Sequence, residues 1–134
     1  KILTLDSFIQ EYNKMAESYS ITKVSNADIE KGASIDVLHW TSNTANEITV
    51  YFRQDDVRSF SSASIICNTT SLENIKPILA ALVSVIEGKI QDEIENEVIN
   101  ILSHKDKDDY RTNTGLLYKV RSRENGIAIS MTAQ

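Results

Sequence analysis

One cysteine, one proline, four glycines and two histidines are all this 134-residue chain has of the residues that most often build disulfides, kinks, phosphate loops and metal sites. The lone Cys67 excludes an intramolecular disulfide framework and a cysteine-rich zinc site. So few glycines leave little from which to make a nucleotide-cradling loop, and glycine-rich phosphate motifs, G-x-S-x-G and H-E-x-x-H are all absent. No run of about 18 apolar residues occurs, so nothing reads as a membrane-spanning helix. A basic excess is missing too. With a formal net charge of -5 and a pI near 5.0, indiscriminate binding to nucleic acid or anionic membranes is disfavoured, because phosphate neutralisation needs a positive surface.

What the chain does have is an ordinary globular composition, 41% hydrophobic and 25% charged, at a length that suits a single domain over residues 1–134. Its charge is unevenly spread. Residues 91–110 hold seven acids (Asp92, Glu93, Glu95, Glu97, Asp106, Asp108, Asp109) against Lys105 and Lys107, while the rest of the chain is balanced. Just downstream, Lys119, Arg121 and Arg123 occupy every second position of a predicted strand, which puts three cations on one sheet face.

Leu5, Phe8, Ile9, Tyr12, Ala16 and Tyr19 recur at three- and four-residue steps, predicting an amphipathic helix with Thr4 or Asp6 near its start. Around Ile35–Trp40, Ile48–Phe52 and Ala63–Cys67 the period falls to two, predicting a three-stranded antiparallel meander with turns at Thr41–Asn46 and Gln54–Asp56. Ile21–Gly32 is ambiguous and has room for an additional strand. Leu72, Ile75, Leu79, Leu82, Val83 and Ile86 form the stripe of a second helix that ends at Gly88, with Pro77 predicting an irregular start. Asp92 and Glu95 resemble a capping box for a third helix through Leu102, with Glu97 on its solvent face. Lys105–Thr114 reads as a polar loop. Leu116–Arg123 and Ile127–Met131 then flank Asn125-Gly126, a strong hairpin signal because both residues accept positive φ. The expected fold is an α+β two-layer sandwich, an antiparallel sheet of about five strands with three helices on one face, in the order α-βββ-αα-ββ.

Candidate chemistry is thin, and each feature has a structural explanation beside the functional one. Cys67 with His39 or His104 has the residue types of a nucleophile and base, yet Cys67 shares its phase with Ala63 and Ile65, where a small buried apolar side chain belongs. His39 suits a ligand site or a pH switch, or simply a strand surface, and His104 suits the cationic end of a helix. Asp106, Asp108 and Asp109 suggest calcium, but the EF-hand glycine is missing and Leu117 stands where its final glutamate belongs. Asp92, Glu93 and Glu95 crowd a helix start, which explains them electrostatically. Lys119, Arg121 and Arg123 form either a solvated face or edge, or a site for an acidic partner. No catalytic residue, metal site or cofactor is expected.

The passage from Ser71-Leu72-Glu73-Asn74 to Val85-Ile86-Glu87-Gly88-Lys89, followed by Leu116-Leu117-Tyr118-Lys119-Val120 and the closing hairpin, resembles the small exported lipoprotein domains of Gram-positive bacteria. The resemblance covers the last half of the chain and implies an extracytoplasmic domain anchored through a lipid on a cysteine upstream of Lys1. A start at Lys1 rather than Met carries the same expectation of a removed leader. The function expected is noncatalytic binding of a protein partner, with Lys119, Arg121 and Arg123 as the binding residues and no nucleic acid involved. The alternative is a cytoplasmic immunity or inhibitor-type protein that turns its acidic segment toward a basic enzyme.

Overall fold

The computed structural model describes residues 2–42 and 46–134. Helix α1 (Leu5–Tyr19) leads through a 3₁₀ turn (Asn26–Asp28) to strands β1 (Ile29–Lys31), β2 (Ile35–Thr41), β3 (Glu47–Arg53) and β4 (Phe60–Cys67). Helices α2 (Leu72–Glu87) and α3 (Gln91–Ser103) follow, then β5 (Tyr110–Arg111), β6 (Leu116–Arg123) and β7 (Gly126–Ala133). The α+β class and the three helices agree with the sequence reading. The strand count does not: among the described residues the sheet has seven strands rather than about five, in the order α-ββββ-αα-βββ. Both added strands are sheet edges. One comes from the ambiguous Ile21–Gly32 stretch and one from the segment read as a loop; at three and two residues they are too short to show a period of two. Such short edges also discourage pairing with other chains. Of the predicted turn at Thr41–Asn46, residues 43–45 lie outside the described residues.

All neighbouring strands are antiparallel, in the spatial order β1-β2-β3-β4-β7-β6-β5. The first four strands form a meander, the chain leaves through α2 and α3, and the last strand inserts between β4 and β6. Alternation decides which side chains are buried. Leu38 and Trp40, Ile48, Val50 and Phe52, Ala63, Ile65 and Cys67, Tyr118 and Val120, and Ile129 and Met131 all point into the core. Their neighbours in sequence point to the other face.

Thr4 caps α1: its hydroxyl accepts from the Ser7 N–H, and the Ser7 hydroxyl oxygen accepts from the Thr4 N–H. The helix then buries Leu5, Phe8, Tyr12 and Ala16. Phe8 meets Phe52 edge-on at 5.7 Å and Tyr12 meets Trp40 at 5.1 Å, contacts of about 0.5–1.5 kcal/mol each that tie α1 to β2 and β3. Helix α2 packs against both α1 and α3 and is buried around most of its circumference, which its stripe alone underestimated. Pro77 is its sixth residue. The start is irregular as expected, with the Asn74 N–H donating to Ser71 O across three residues instead of four. Helix α3 begins one residue before Asp92, and the carboxylate that closes its cap is Glu93, accepting from the Ile90 N–H at 3.3 Å. The predicted Asp92–Glu95 box is therefore replaced by an Ile90–Glu93 contact.

The closing hairpin is present, but its glycine serves a different purpose from the one expected. Asn125 adopts the left-handed conformation at φ 63°, whereas Gly126 does not. Gly126 is needed for space: a Cβ there would lie 1.9 Å from the carbonyl oxygen of Cys67, where β7 enters beside β4. A Gly126→Ala variant is expected to lose about 1–3 kcal/mol, the usual cost of overpacking, read as a lowered urea midpoint. An unchanged midpoint would show that this approach is not tight.

Candidate functional site

The helices leave one sheet face open, and cross-strand pairing defines its layout. His39, Thr49, Ser64, Ser130 and Lys119 make one row across five strands, and Thr41, Glu47, Ile66, Ala128 and Arg121 make the next. Ser130 and Ala128 on β7 and Ser64 on β4 form a low floor beside the cations of β6, with Ile66 standing above it on β4. Lys119, Arg121 and Arg123 share this face and are exposed, the side chains of the first two at 56% and 45%. Alternation along β6 brings the three cations together, since Tyr118 and Val120 between them point into the core.

Part of the acidic segment folds back onto this stripe. Asp109 Oδ1 accepts from Arg121 Nη2 at 2.8 Å, and its Oδ2 lies 3.8 Å from Lys119 Nζ. Arg123 makes no ion pair among the described residues, so it is the least neutralised end of the stripe. Asp106, at φ 58°, acts as a substitute strand along the edge of β6. Its N–H donates to Val120 O, and its carboxylate accepts from the Ser122 N–H and hydroxyl. These Ser122 hydrogen bonds hold the Asp106 carboxyl below its ordinary pKa. Asp106 and Asp109 thus face protein donors rather than a shared cation, and among the described residues no group of three or more His, Cys, Asp or Glu is placed to hold a metal.

The thiol and imidazoles are dispersed. Cys67 is buried on the helix side, where desolvation pushes its thiol up to about 11 against the smaller opposing influence of Arg123. His39 is on the open face, with Nδ1 2.9 Å from the Thr49 hydroxyl and Nε2 3.8 Å from Glu47. His104 ends α3, its Nδ1 2.7 Å from the carbonyl of Asn100, and it stacks on Tyr110 at 4.8 Å. Cys67 and His39 stand on opposite sides of the sheet, so the nucleophile–base pairing is not assembled between them.

A polar network beneath β5 and β6 was missed from the sequence. Glu97, expected on the solvent face of α3, is 8% exposed; it accepts from the Tyr110 hydroxyl at 2.6 Å and lies 3.4 Å from Lys89 Nζ. Glu87, at the end of α2, accepts from the Tyr118 hydroxyl at 2.5 Å and from Thr114 at 3.1 Å. Burial raises the Glu87 pKa, partly opposed by the Tyr118 hydrogen bond and reinforced by the Glu97 charge. Burial and Glu97 together push Tyr110 up to about 12, and Tyr118 rises further through burial and Glu87. The network joins the α2–α3 corner to β5 and β6. The sequence signal available was four-residue spacing on α3, since Glu97 lies between Ile94, Val98 and Ile101 on the buried side.

Compared with protein-family models, curated proteins and solved structures, the chain gives no match.

A raised carboxyl pKa in the folded state means that the native chain holds a proton the unfolded chain has lost. Stability contributed by Glu87 therefore falls as pH rises from the ordinary glutamate value, about 4.3, through the higher native one. A Glu87→Gln variant keeps an acceptor for Tyr118 but removes this titration. Urea midpoints at pH 4.5 and 7.5 are expected to show a smaller loss across that interval in the variant; an equal loss in both proteins would remove Glu87 as the cause.

Proposed function

We propose that this chain is a noncatalytic interaction domain that recognises a protein partner through its open sheet face, with Lys119, Arg121 and Arg123 as the contact residues. The observation that carries this reading is the common exposure of three cations at alternate positions of one strand, beside a floor of small side chains. Electrostatic complementarity of this kind mainly sets encounter rate and specificity. The inhibitor alternative asks the acidic segment to act as one surface, but its residues are divided: Glu97 is buried, Asp106 and Asp109 are committed to β6, and Asp92, Glu93 and Glu95 stand at the start of α3. The resemblance to exported Gram-positive lipoprotein domains supports an extracytoplasmic setting with a lipid anchor. No helix among the described residues is long and apolar enough to cross a membrane.

Arg121→Glu reverses the central charge at an exposed position and is expected to leave the fold intact while abolishing salt-sensitive capture of partner proteins. Identical partners with identical salt dependence would remove the stripe as the contact. For the setting, fractionation of the source cells is expected to place the protein with the membrane and release it on lipase or detergent treatment. Recovery in the cytoplasmic fraction would overturn that part of the reading.

A further inference from the structure

We infer that the partner presents an extended acidic segment whose carboxylates recur at every second residue, aligned with β6 on the open face. This deepens the interaction reading and rests on it. Lys119, Arg121 and Arg123 lie on a regular strand, so their backbone positions are spaced by about 7 Å. An extended chain repeats its same-side groups at that interval and can present one carboxylate to each cation. On a helix, neighbouring same-face groups lie about 5–6 Å apart and the stripe curves away from a straight ladder.

Two features of the face favour a chain lying there. Beside the cations, Ser130 and Ala128 on β7 are small, so a backbone has room along the flank of β6, with Ser64 and Ile66 of the next strand beyond them. In addition, the protein's own Asp109 already sets one carboxylate against Lys119 and Arg121, at 3.8 and 2.8 Å. Asp109 is an internal competitor for the same two cations. An incoming acidic segment engages Arg123 first and must share or displace Asp109 further along, so removing that carboxylate strengthens binding. Charge-assisted contacts to arginine supply much of the discrimination, because the guanidinium fork matches a carboxylate.

The test is fluorescence anisotropy on the full chain with two labelled peptides of the same composition, one alternating Glu with Ser and one with its Glu residues in a single block. The alternating peptide is expected to bind about tenfold more tightly, the ratio that about 1.4 kcal/mol of lost contact produces. Asp109→Asn should tighten it, and Arg123→Glu and Lys119→Glu should each weaken it. Equal affinity for both peptides, lost together in Arg121→Glu, would overturn the alternating-carboxylate proposal while leaving the interaction face standing. No binding of either peptide, alongside intact charge-dependent capture of protein partners, would also overturn it. Equally tight binding of polyphosphate or single-stranded DNA would replace it with a general polyanion site, and partner capture by Arg121→Glu that matches the parent chain in partners and salt dependence would bring down the underlying reading itself.

Discussion

Covering only one face of the sheet with helices is the constraint from which most of this structure follows. A strand with alternating side chains can then satisfy two solvents at once, and β2, β3, β4, β6 and β7 all do so with apolar residues toward α1, α2 and α3. The core and the candidate interface are consequently the same strands seen from opposite sides. Tyr118 and Val120 anchor β6 from below; Lys119 and Arg121 are presented above because their neighbours are anchored. A one-residue slip in the pairing of β6 with β7 would exchange these roles, turning cations into the core and aromatic surface into water.

Buried polar groups at the edge of the core show how the helical layer is tied to the sheet. Glu87 and Glu97 come from different helices, yet both find tyrosine hydroxyls on β5 and β6, and Lys89 in the intervening turn faces one of them. Removing a partner here leaves a desolvated group, which costs more than the hydrogen bond is worth net. At the opposite end of the sheet Asp36, 1% exposed, receives a hydrogen bond from Gln54 and faces Arg58 at 3.2 Å, which ties β2 to the β3–β4 connection. The Glu87 and Glu97 contacts fix one corner where the two layers meet. Aromatic packing of Phe8 and Tyr12 locates the middle.

The long elements were legible because their periods persist. Leu5 to Tyr19 repeats through four turns, and the β6–β7 pair alternates over eight residues on each side of its turn. The basic stripe was legible for the same reason, as its exposure follows directly from alternation. Short elements carried no such signal. Neither β1 nor β5 is long enough to complete a pattern, and each is defined only by its pairing with the next strand across a short connection. Glu97 was misplaced because a carboxylate on a helix is ordinarily solvated; only Tyr110 and Lys89, brought in by tertiary packing, make its burial affordable. Asn125-Gly126 marked the hairpin correctly while concealing the cause, since the Cys67 carbonyl that excludes a side chain at Gly126 is remote in sequence.

The position of β7 has a consequence for how the chain reaches this state. It is the last strand in sequence and lies at the join between the four-stranded meander and the β6–β5 pair, with partners on both sides. Until β7 is available, β4 and β6 each present an unpaired hydrogen-bonding edge, and the β4–β7 contact must close a loop containing both α2 and α3. Such non-local pairing slows folding and lengthens the time for which those edges can meet other chains. Completion of the sheet therefore waits on its final strand, and interrupted synthesis before β7 would leave two aggregation-prone halves rather than a slightly shortened domain.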